Sequence, residues 1–344
     1  MNHPAQDSME HAAELYRLRR LDEAAALCER LLHAPGRTAA HAAHLGGIIA
    51  FEKGEQRQGI ELLERAVASG LQSPSIHGNL AICLASTGRI ADAHRHAQMA
   101  LTMDPMASVA HTALAEVLMT MGAVGESIAH LRQALMSERL SPLVSNILYQ
   151  LNFLPGYSSA ELSKEHRAFG TEFSNPVFRL AGHTNDPDPG RKLRVGYLSA
   201  DMRSHSVAHF LAPLLETHDR SVVEVIGFPS VKRPDAVTER MRKACNEWVP
   251  VHGLSDDDAA LAIRAAKIDI LVELGGHTGD SRLLVRDRRP APIQVAWCGY
   301  PQTTGLEAVN YRFTDSLVDP EGEIDRHYTE KLVRIPSGFL CYEP

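Results

Sequence analysis

A helical repeat array followed by a parallel α/β sheet domain is the fold class this sequence predicts, and three observations predict it. Small residues return at a near-constant interval before residue 142. Short β-rich runs alternate with helical patterns after Lys192. A stretch rich in Pro, Gly, Asp and Asn, residues 182–192, lies between the two. The 344 residues suit about two domains on the usual scale of roughly 150 residues each.

The repeats come first. Ala24, Gly59, Ala93 and Ser127 are spaced 35, 34 and 34 apart, and Leu31, Ala66, Ala100 and Ala134 keep the same step. Gly54, Gly88 and Gly122 hold the register too, each closing one helix and opening a turn. This period is that of tetratricopeptide helix pairs, so about four repeats are expected in residues 1–141, forming a right-handed superhelix. Its concave surface either binds a peptide or serves as a packing scaffold. Asn79 precedes Leu80 on an inner helix, where an amide offers both a donor and an acceptor to a peptide backbone. His41, His44, His77, His94, His96 and His111 show no ligand spacing and read as surface or groove residues.

Two connecting helices are expected over 142–178, the second capped by Ser158 or Ser159 with Leu162, His166 and Phe169 on one face. A surface linker over 179–191 then leads to the sheet domain at 192–344. Its elements are a strand Leu193–Ser199, helix Val207–His218, strand Val222–Phe228, helix Ala236–Ala244, strand Glu247–Val251, helix Asp256–Ala266 and strand Asp269–Leu274. A further buried strand follows Pro290-Ala291-Pro292. The alternation implies a doubly wound parallel sheet. Three loops would share its carboxyl rim: 200–205 with His205, 275–279 with its glycines, and 302–305. At that rim, unpaired N–H groups and helix dipoles favour anionic or sugar-phosphate ligands.

Composition narrows the function. Hydrophobic residues make up 44 % and charged residues 22 %, with 35 basic against 42 acidic side chains, a balance that disfavours a general nucleic-acid binder. No run approaches eighteen apolar residues and the first ten residues are polar, so neither a membrane span nor a signal peptide is expected and the expected location is cytoplasmic. Cys28, Cys83, Cys245, Cys298 and Cys341 are scattered without metal-ligand spacing, which reads as reduced and structural. Asp256-Asp257-Asp258 follows Ser255 in the first turn of a helix, where acids are favoured by the dipole, so it is not read as a metal-binding Asp-x-Asp motif. No Walker loop and no Gly-x-Gly-x-x-Gly is present. Imidazole suits proton transfer near neutral pH, which singles out His205; a helix-start histidine bonded for structure is the alternative. His209, one turn on, is either its partner or a core residue. Glu273 either carries charge into the rim or pairs with Arg282, and Arg286, Arg288 and Arg289 read as a solvated helix end.

Five ordered motifs carry a resemblance: Ser-Asn-Ile-Leu-Tyr-Gln-Leu-Asn-Phe at 145–153, Arg-Val-Gly-Tyr-Leu-Ser-Ala-Asp-Met-Arg-Ser-His-Ser-Val-Ala-His-Phe at 194–210, Gly-Gly-His-Thr at 275–278, Arg-Pro-Ala-Pro-Ile-Gln-Val-Ala-Trp-Cys-Gly-Tyr-Pro at 289–301, and Tyr-Thr-Glu-Lys-Leu-Val-Arg-Ile-Pro at 328–336. Together they resemble the bacterial branch of the protein O-linked N-acetylglucosamine transferase and Spindly family, glycosyltransferase family 41-like, loosely over the repeats and closely over 143–344. The resemblance implies a Rossmann-like lobe, the amino-terminal half of a two-Rossmann GT-B enzyme. That enzyme would be inverting and independent of metal and cofactor, and its donor would be UDP-N-acetylglucosamine or another nucleotide-sugar such as one carrying fucose. The acceptor would be Ser or Thr of a protein held by the repeats; a non-catalytic adaptor and an Asn-directed transferase are the other readings.

By the same resemblance His205 is the catalytic histidine. His209, Gly276, His277, Thr278, Tyr300, Pro301, Thr303 and Thr304 would contact the donor sugar or line the cleft, and Asn79 and Asn146 would contact the acceptor. Gln302 stands where the family has glycine, which would narrow that loop or change its φ. The nucleotide would be held by a second domain beginning after Cys341-Tyr342-Glu343-Pro344, so this chain is expected to stop before it and to have little activity by itself.

Overall fold

The computed structural model describes residues 4–138, 140–180, 182–188 and 190–343. They form two compact units dividing between Leu154 and Pro155.

The first unit is helical throughout. Helices α1 (Pro4–Arg17) and α2 (Leu21–Leu31), α3 (Arg37–Glu52) and α4 (Gln56–Ala68), α5 (Pro74–Ser86) and α6 (Ile90–Met103), and α7 (Ser108–Thr120) and α8 (Val124–Ser137) make four antiparallel pairs. A ninth helix, α9 (Ser141–Leu151), packs on α8. The residues that set the period are the ones that vanish from solvent: Ala24, Ala93 and Ser127 are fully buried and Gly59 is buried. Small side chains there let paired helices approach closely, and Ser127 discharges its hydroxyl onto the Ala115 carbonyl at 2.6 Å rather than leaving it unpaired. Asp104 caps α6 ahead of Pro105, as the sequence requires.

The second unit opens with α10 (Ser159–Phe173). Ser158 and Glu161 form a reciprocal capping box at its start, and Leu162, His166 and Phe169 make its buried face. The two helices expected as one connector thus divide between the units. Residues read as a linker lie along the sheet unit, where Arg191 forms a bidentate pair with Asp269 at 2.6 and 2.7 Å and Asn185 bonds the same carboxylate.

The sheet comprises β1 (Leu193–Ser199), β2 (Val223–Pro229), β3 (Glu247–Trp248), β4 (Ile270–Glu273), β5 (Ile293–Ala296), β6 (Tyr311–Thr314) and β7 (Lys331–Arg334). All pairings are parallel and the order is β3-β2-β1-β4-β5-β6-β7. Helices α11 (Ala208–Thr217) and α12 (Ala236–Ala244) join the strands of one wing, α13 (Asp256–Ala265) returns the chain to β4, and α14 (Leu283–Asp287) leads to β5. Both sheet faces are dry, as a parallel sheet demands. Val195, Tyr197, Val225 and Val272 pack with Leu211 and Leu215 of α11 on one face. Leu198, Ile226, Phe228 and Leu271 pack with Ile263 of α13 on the other. Strands β6 and β7 escape a reading of periodicity because Tyr-Arg-Phe-Thr and Lys-Leu-Val-Arg mix charged with apolar residues, where the equally short β4 and β5 are mostly apolar.

Close packing fixes α10 against the sheet's rim. A Cβ on Gly170 would lie 1.9 Å from the Gly305 carbonyl oxygen, and one on Gly305 would lie 1.9 Å from the His166 oxygen, so backbone touches backbone. We predict that Gly170→Ala lowers the stability of this unit by about 2 kcal/mol or more through overpacking. Urea unfolding followed by fluorescence of Trp248 and Trp297 checks it. Gly279→Ala, in open space, is expected to leave the midpoint nearly unchanged.

Candidate functional site

The strand order reverses between β1 and β4: from β1 the chain moves outward to β2 and β3, then returns to β4 on the other side of β1. Connections leaving the carboxyl ends of these neighbours diverge over opposite faces, and the gap between them is where open α/β sheets take ligands. The loop after β1 carries His205; the loop after β4 carries Gly275 and Gly276.

The His205 loop is tied down along its length. Asp201 N–H donates to Ser199 Oγ at 2.9 Å, Ser204 N–H to Asp235 Oδ2 at 2.7 Å, and Thr238 Oγ1 to the Met202 oxygen at 2.8 Å. Asp235 is also the N-cap of α12, so one carboxylate orders both the helix start and the loop. The Ser204 N–H, with the amides of α12, holds that carboxyl below its usual range. The His205 side chain remains 36 % exposed. Its Nδ1 accepts from Val207 N–H at 3.2 Å and stands 3.6 Å from Asp201 Oδ1. Burial pushes the Asp201 carboxyl up, opposed by His205 and by Arg203, whose Nη2 is 3.8 Å from the same oxygen. Ser204, His205 and His209 face a cavity of about 120 Å³ bounded by Val237 and Arg240 of α12 and by Glu343. His209 is exposed and bonds the Glu343 oxygen through Nδ1 at 3.0 Å.

The other expected contacts turn inward, because α10 covers that part of the rim. His277 is 1 % exposed, bonds the Thr304 oxygen through Nε2 at 2.9 Å, and packs edge-on against Phe169 and His166. Tyr300 is buried and its hydroxyl meets His166 Nε2 at 2.7 Å. Thr303 and Thr304 are buried against Glu330, which accepts from Thr303 Oγ1 at 2.6 Å, Thr304 N–H at 2.8 Å and the Thr304 hydroxyl. Their side chains therefore shape the rim from below rather than line it. Thr278 is half-buried and donates to the Gly275 oxygen at 2.7 Å. Gly276 takes φ +54° with Tyr300 where a Cβ would be, while Pro301 is exposed. Gln302 lies outside the left-handed region and its carbonyl accepts from Arg312, so the loop accommodates it without strain.

Glu273 pairs with Arg286, not Arg282. The carboxylate, 2 % exposed, accepts from Gly275 and Gly276 N–H and from Arg286 Nη1 at 2.9 Å, bracing the β4 loop from inside. Arg286 is fully buried, correcting its reading as part of a solvated helix end, and Arg282 instead bonds Asp256. Ser255 caps α13 and the three aspartates sit in its first turn. Among the described residues no three His, Cys, Asp or Glu side chains gather as a metal site. Sequence reasoning did not single out Asp201 or Glu330, although both lie inside quoted motifs, and it took Arg286 only as part of a basic cluster.

In the repeat unit, Asn79 bonds His44 Nε2 at 3.0 Å and Asn146 Oδ1 accepts from Gln150 at 3.0 Å. His77 and His111 are buried, against expectation. Each faces a second histidine, His96 and His130, with Nδ1 atoms 2.9 Å apart.

Burial holds His166 down to about 4 and His277 well below its usual value. Above pH about 6.5 the His166 ring is neutral in both folded and unfolded chains. Between about 6.5 and 4 only the unfolded chain takes up the proton, so stability falls as pH falls, with His277 adding in the same sense. The His166 share is on the order of 3 kcal/mol. Both tryptophans lie in this unit, so urea melts followed by their fluorescence are expected to show a lower midpoint at pH 5 than at pH 7; equal midpoints contradict the buried neutral pair.

The comparisons with known proteins converge on one family. Residues 173–343 match the glycosyl transferase family 41 model and residues 44–105 a tetratricopeptide repeat model. The chain is 39 % identical over 203 residues to the Arabidopsis thaliana probable UDP-N-acetylglucosamine–peptide N-acetylglucosaminyltransferase Spindly, covering 58 % of this chain and 22 % of that one. It is 33 % identical over 153 residues to the Caenorhabditis elegans UDP-N-acetylglucosamine–peptide N-acetylglucosaminyltransferase, covering 44 % and 13 %. Among solved structures, a variant of the Thermobaculum terrenum O-GlcNAc transferase superposes with a TM-score of 0.83 at 30 % identity, over 88 % of this chain and 58 % of that chain. The chain thus spans about a fifth of the length of its plant relatives.

Proposed function

From the premise that residues 173–343 are a glycosyl transferase family 41 domain carried behind tetratricopeptide repeats, we propose that this protein transfers a sugar from a nucleotide-sugar donor to protein side chains. The relatives' names support N-acetylglucosamine from UDP-N-acetylglucosamine as the first donor to test. The observation that carries the reading is the half-exposed His205 ring, held on a rigid loop at the point where the parallel sheet reverses its strand order.

The reaction is an inverting displacement. The hydroxyl oxygen of an acceptor Ser or Thr attacks the anomeric carbon from the face opposite the nucleotide, and the bond to the diphosphate breaks with its electron pair passing to the diphosphate. Charge builds on that leaving group late in the step, so donors fixed near it lower the barrier more than they tighten ground-state binding. The reaction runs without a metal, since protein N–H groups and cations meet the diphosphate charge. The repeats hold the acceptor protein, with Asn79 and Asn146 among the contacts. His205, Gly276 and Pro301 meet the donor side. The work is done in the cytoplasm; among the described residues no helix is long and apolar enough to cross a membrane.

The test is transfer by the intact protein from UDP-N-acetylglucosamine, and then from a fucose donor, followed by mass spectrometry of acceptor proteins with and without a chelator. His205→Ala is expected to lower kcat about 10²-fold or more while KM for the donor moves only a few-fold. Unchanged turnover in that variant contradicts the assignment. Product that resists alkaline elimination points to Asn as acceptor. Absence of both transfer and any thermal shift with nucleotide-sugars leaves a binding role for the repeats and overturns the enzyme reading.

A further inference from the structure

Two histidines face the cavity between the first turns of α11 and α12, and their Nδ1 atoms are held in opposite ways. Val207 N–H donates to His205 Nδ1 at 3.2 Å. In the neutral ring, therefore, Nδ1 carries the lone pair and Nε2 carries the hydrogen. His209 Nδ1 lies 3.0 Å from the Glu343 carbonyl oxygen, which only accepts. Its Nδ1 carries the hydrogen and its Nε2 the lone pair.

Asp201 stands behind the same nitrogen but does not set its tautomer: a carboxylate facing Nδ1 favours a hydrogen there, and the lone pair is assigned by the Val207 N–H. Asp201 is 8 % exposed and stands 3.6 Å from His205 Nδ1. In this tautomer the outer ring nitrogen of His205 is a hydrogen-bond donor. The charged groups acting on the pair are Arg203, 3.8 Å from the same Asp201 oxygen, and Asp280, itself paired with Lys232; Arg240 at the cavity wall is engaged by Glu216 and Glu343. A base for an incoming hydroxyl needs a free lone pair, which His205 Nε2 lacks and His209 Nε2 has.

We propose that His205, in the tautomer fixed by the Val207 N–H, is the hydrogen-bond donor to the leaving diphosphate, and that His209 Nε2 receives the hydroxyl proton. The roles rest on the glycosyltransferase reading; the tautomers belong to this chain whatever it catalyses. In the step, the acceptor oxygen bonds to the anomeric carbon, the bond from that carbon to the diphosphate oxygen breaks, and its electron pair stays on that oxygen under the His205 Nε2–H. The acceptor proton moves to His209.

Two measurements test this. In this chain labelled with ¹⁵N-histidine, long-range proton–nitrogen correlation near neutral pH is expected to show His205 as the Nε2–H tautomer and His209 as the Nδ1–H tautomer; a His205 Nδ1–H signal overturns the proposal. In the intact protein, His205→Gln returns an amide N–H near the Nε2 position and is expected to keep about a tenth of wild-type turnover where His205→Ala loses about 10²-fold. A Gln variant as slow as the Ala variant overturns the donor role. His209→Ala is expected to slow turnover about tenfold or more, and unchanged turnover removes it as proton acceptor. Wild-type protein that transfers no sugar while showing the expected tautomers overturns the glycosyltransferase reading instead.

Discussion

A parallel sheet cannot turn back on itself with a hairpin; each connection must cross a face, and the sheet unit follows from that constraint. Because β1 sends its chain to one wing and β4 sends its chain to the other, the two loops at their carboxyl ends part and leave a gap. The His205 loop owes its place to this divergence, and its rigidity to the α12 N-cap, which binds Ser204 with one carboxylate oxygen and Thr238 with the other.

Behind the gap, buried charge does the bracing. Glu273 gathers two glycine N–H groups and Arg286, and Glu330 gathers Thr303 and Thr304. A carboxylate in that position is costly unless its acceptor sites are filled, and here backbone and side-chain donors fill them. Removing one partner would strand the other in a dry interior. The loops of β4 and β5 are accordingly fixed by buried groups, and α10 seals them by packing Phe169 and His166 over His277 and Tyr300.

The architecture was legible in the chain because its periods are physical. The step of 34 reports helix pairs whose contacts need small residues at Gly59 and Ala93, and the alternation after Lys192 reports strands buried on both faces. The capping box at Ser158 was legible for the same reason: it is local. What the chain concealed is long-range. Nothing within the Gly-Gly-His-Thr run announces that a helix more than a hundred residues earlier will cover it, so His277 looked like a ligand contact and is an interior residue. The partner of Glu273 was misjudged because the turn of α14 swings Arg286, and not Arg282, beneath the strand. His209 could be read either way from a single helical turn; only the cavity beside α12 separates partner from core.

Under the proposed function a sugar nucleotide enters at the divergence of β1 and β4. Amide hydrogen exchange of the intact protein, with and without nucleotide-sugar, addresses it without relying on turnover. Slowed exchange is expected to concentrate in residues 200–209 and 275–282, on the two loops that flank the gap. Ligand binding that slows exchange elsewhere and leaves both loops unchanged would contradict it.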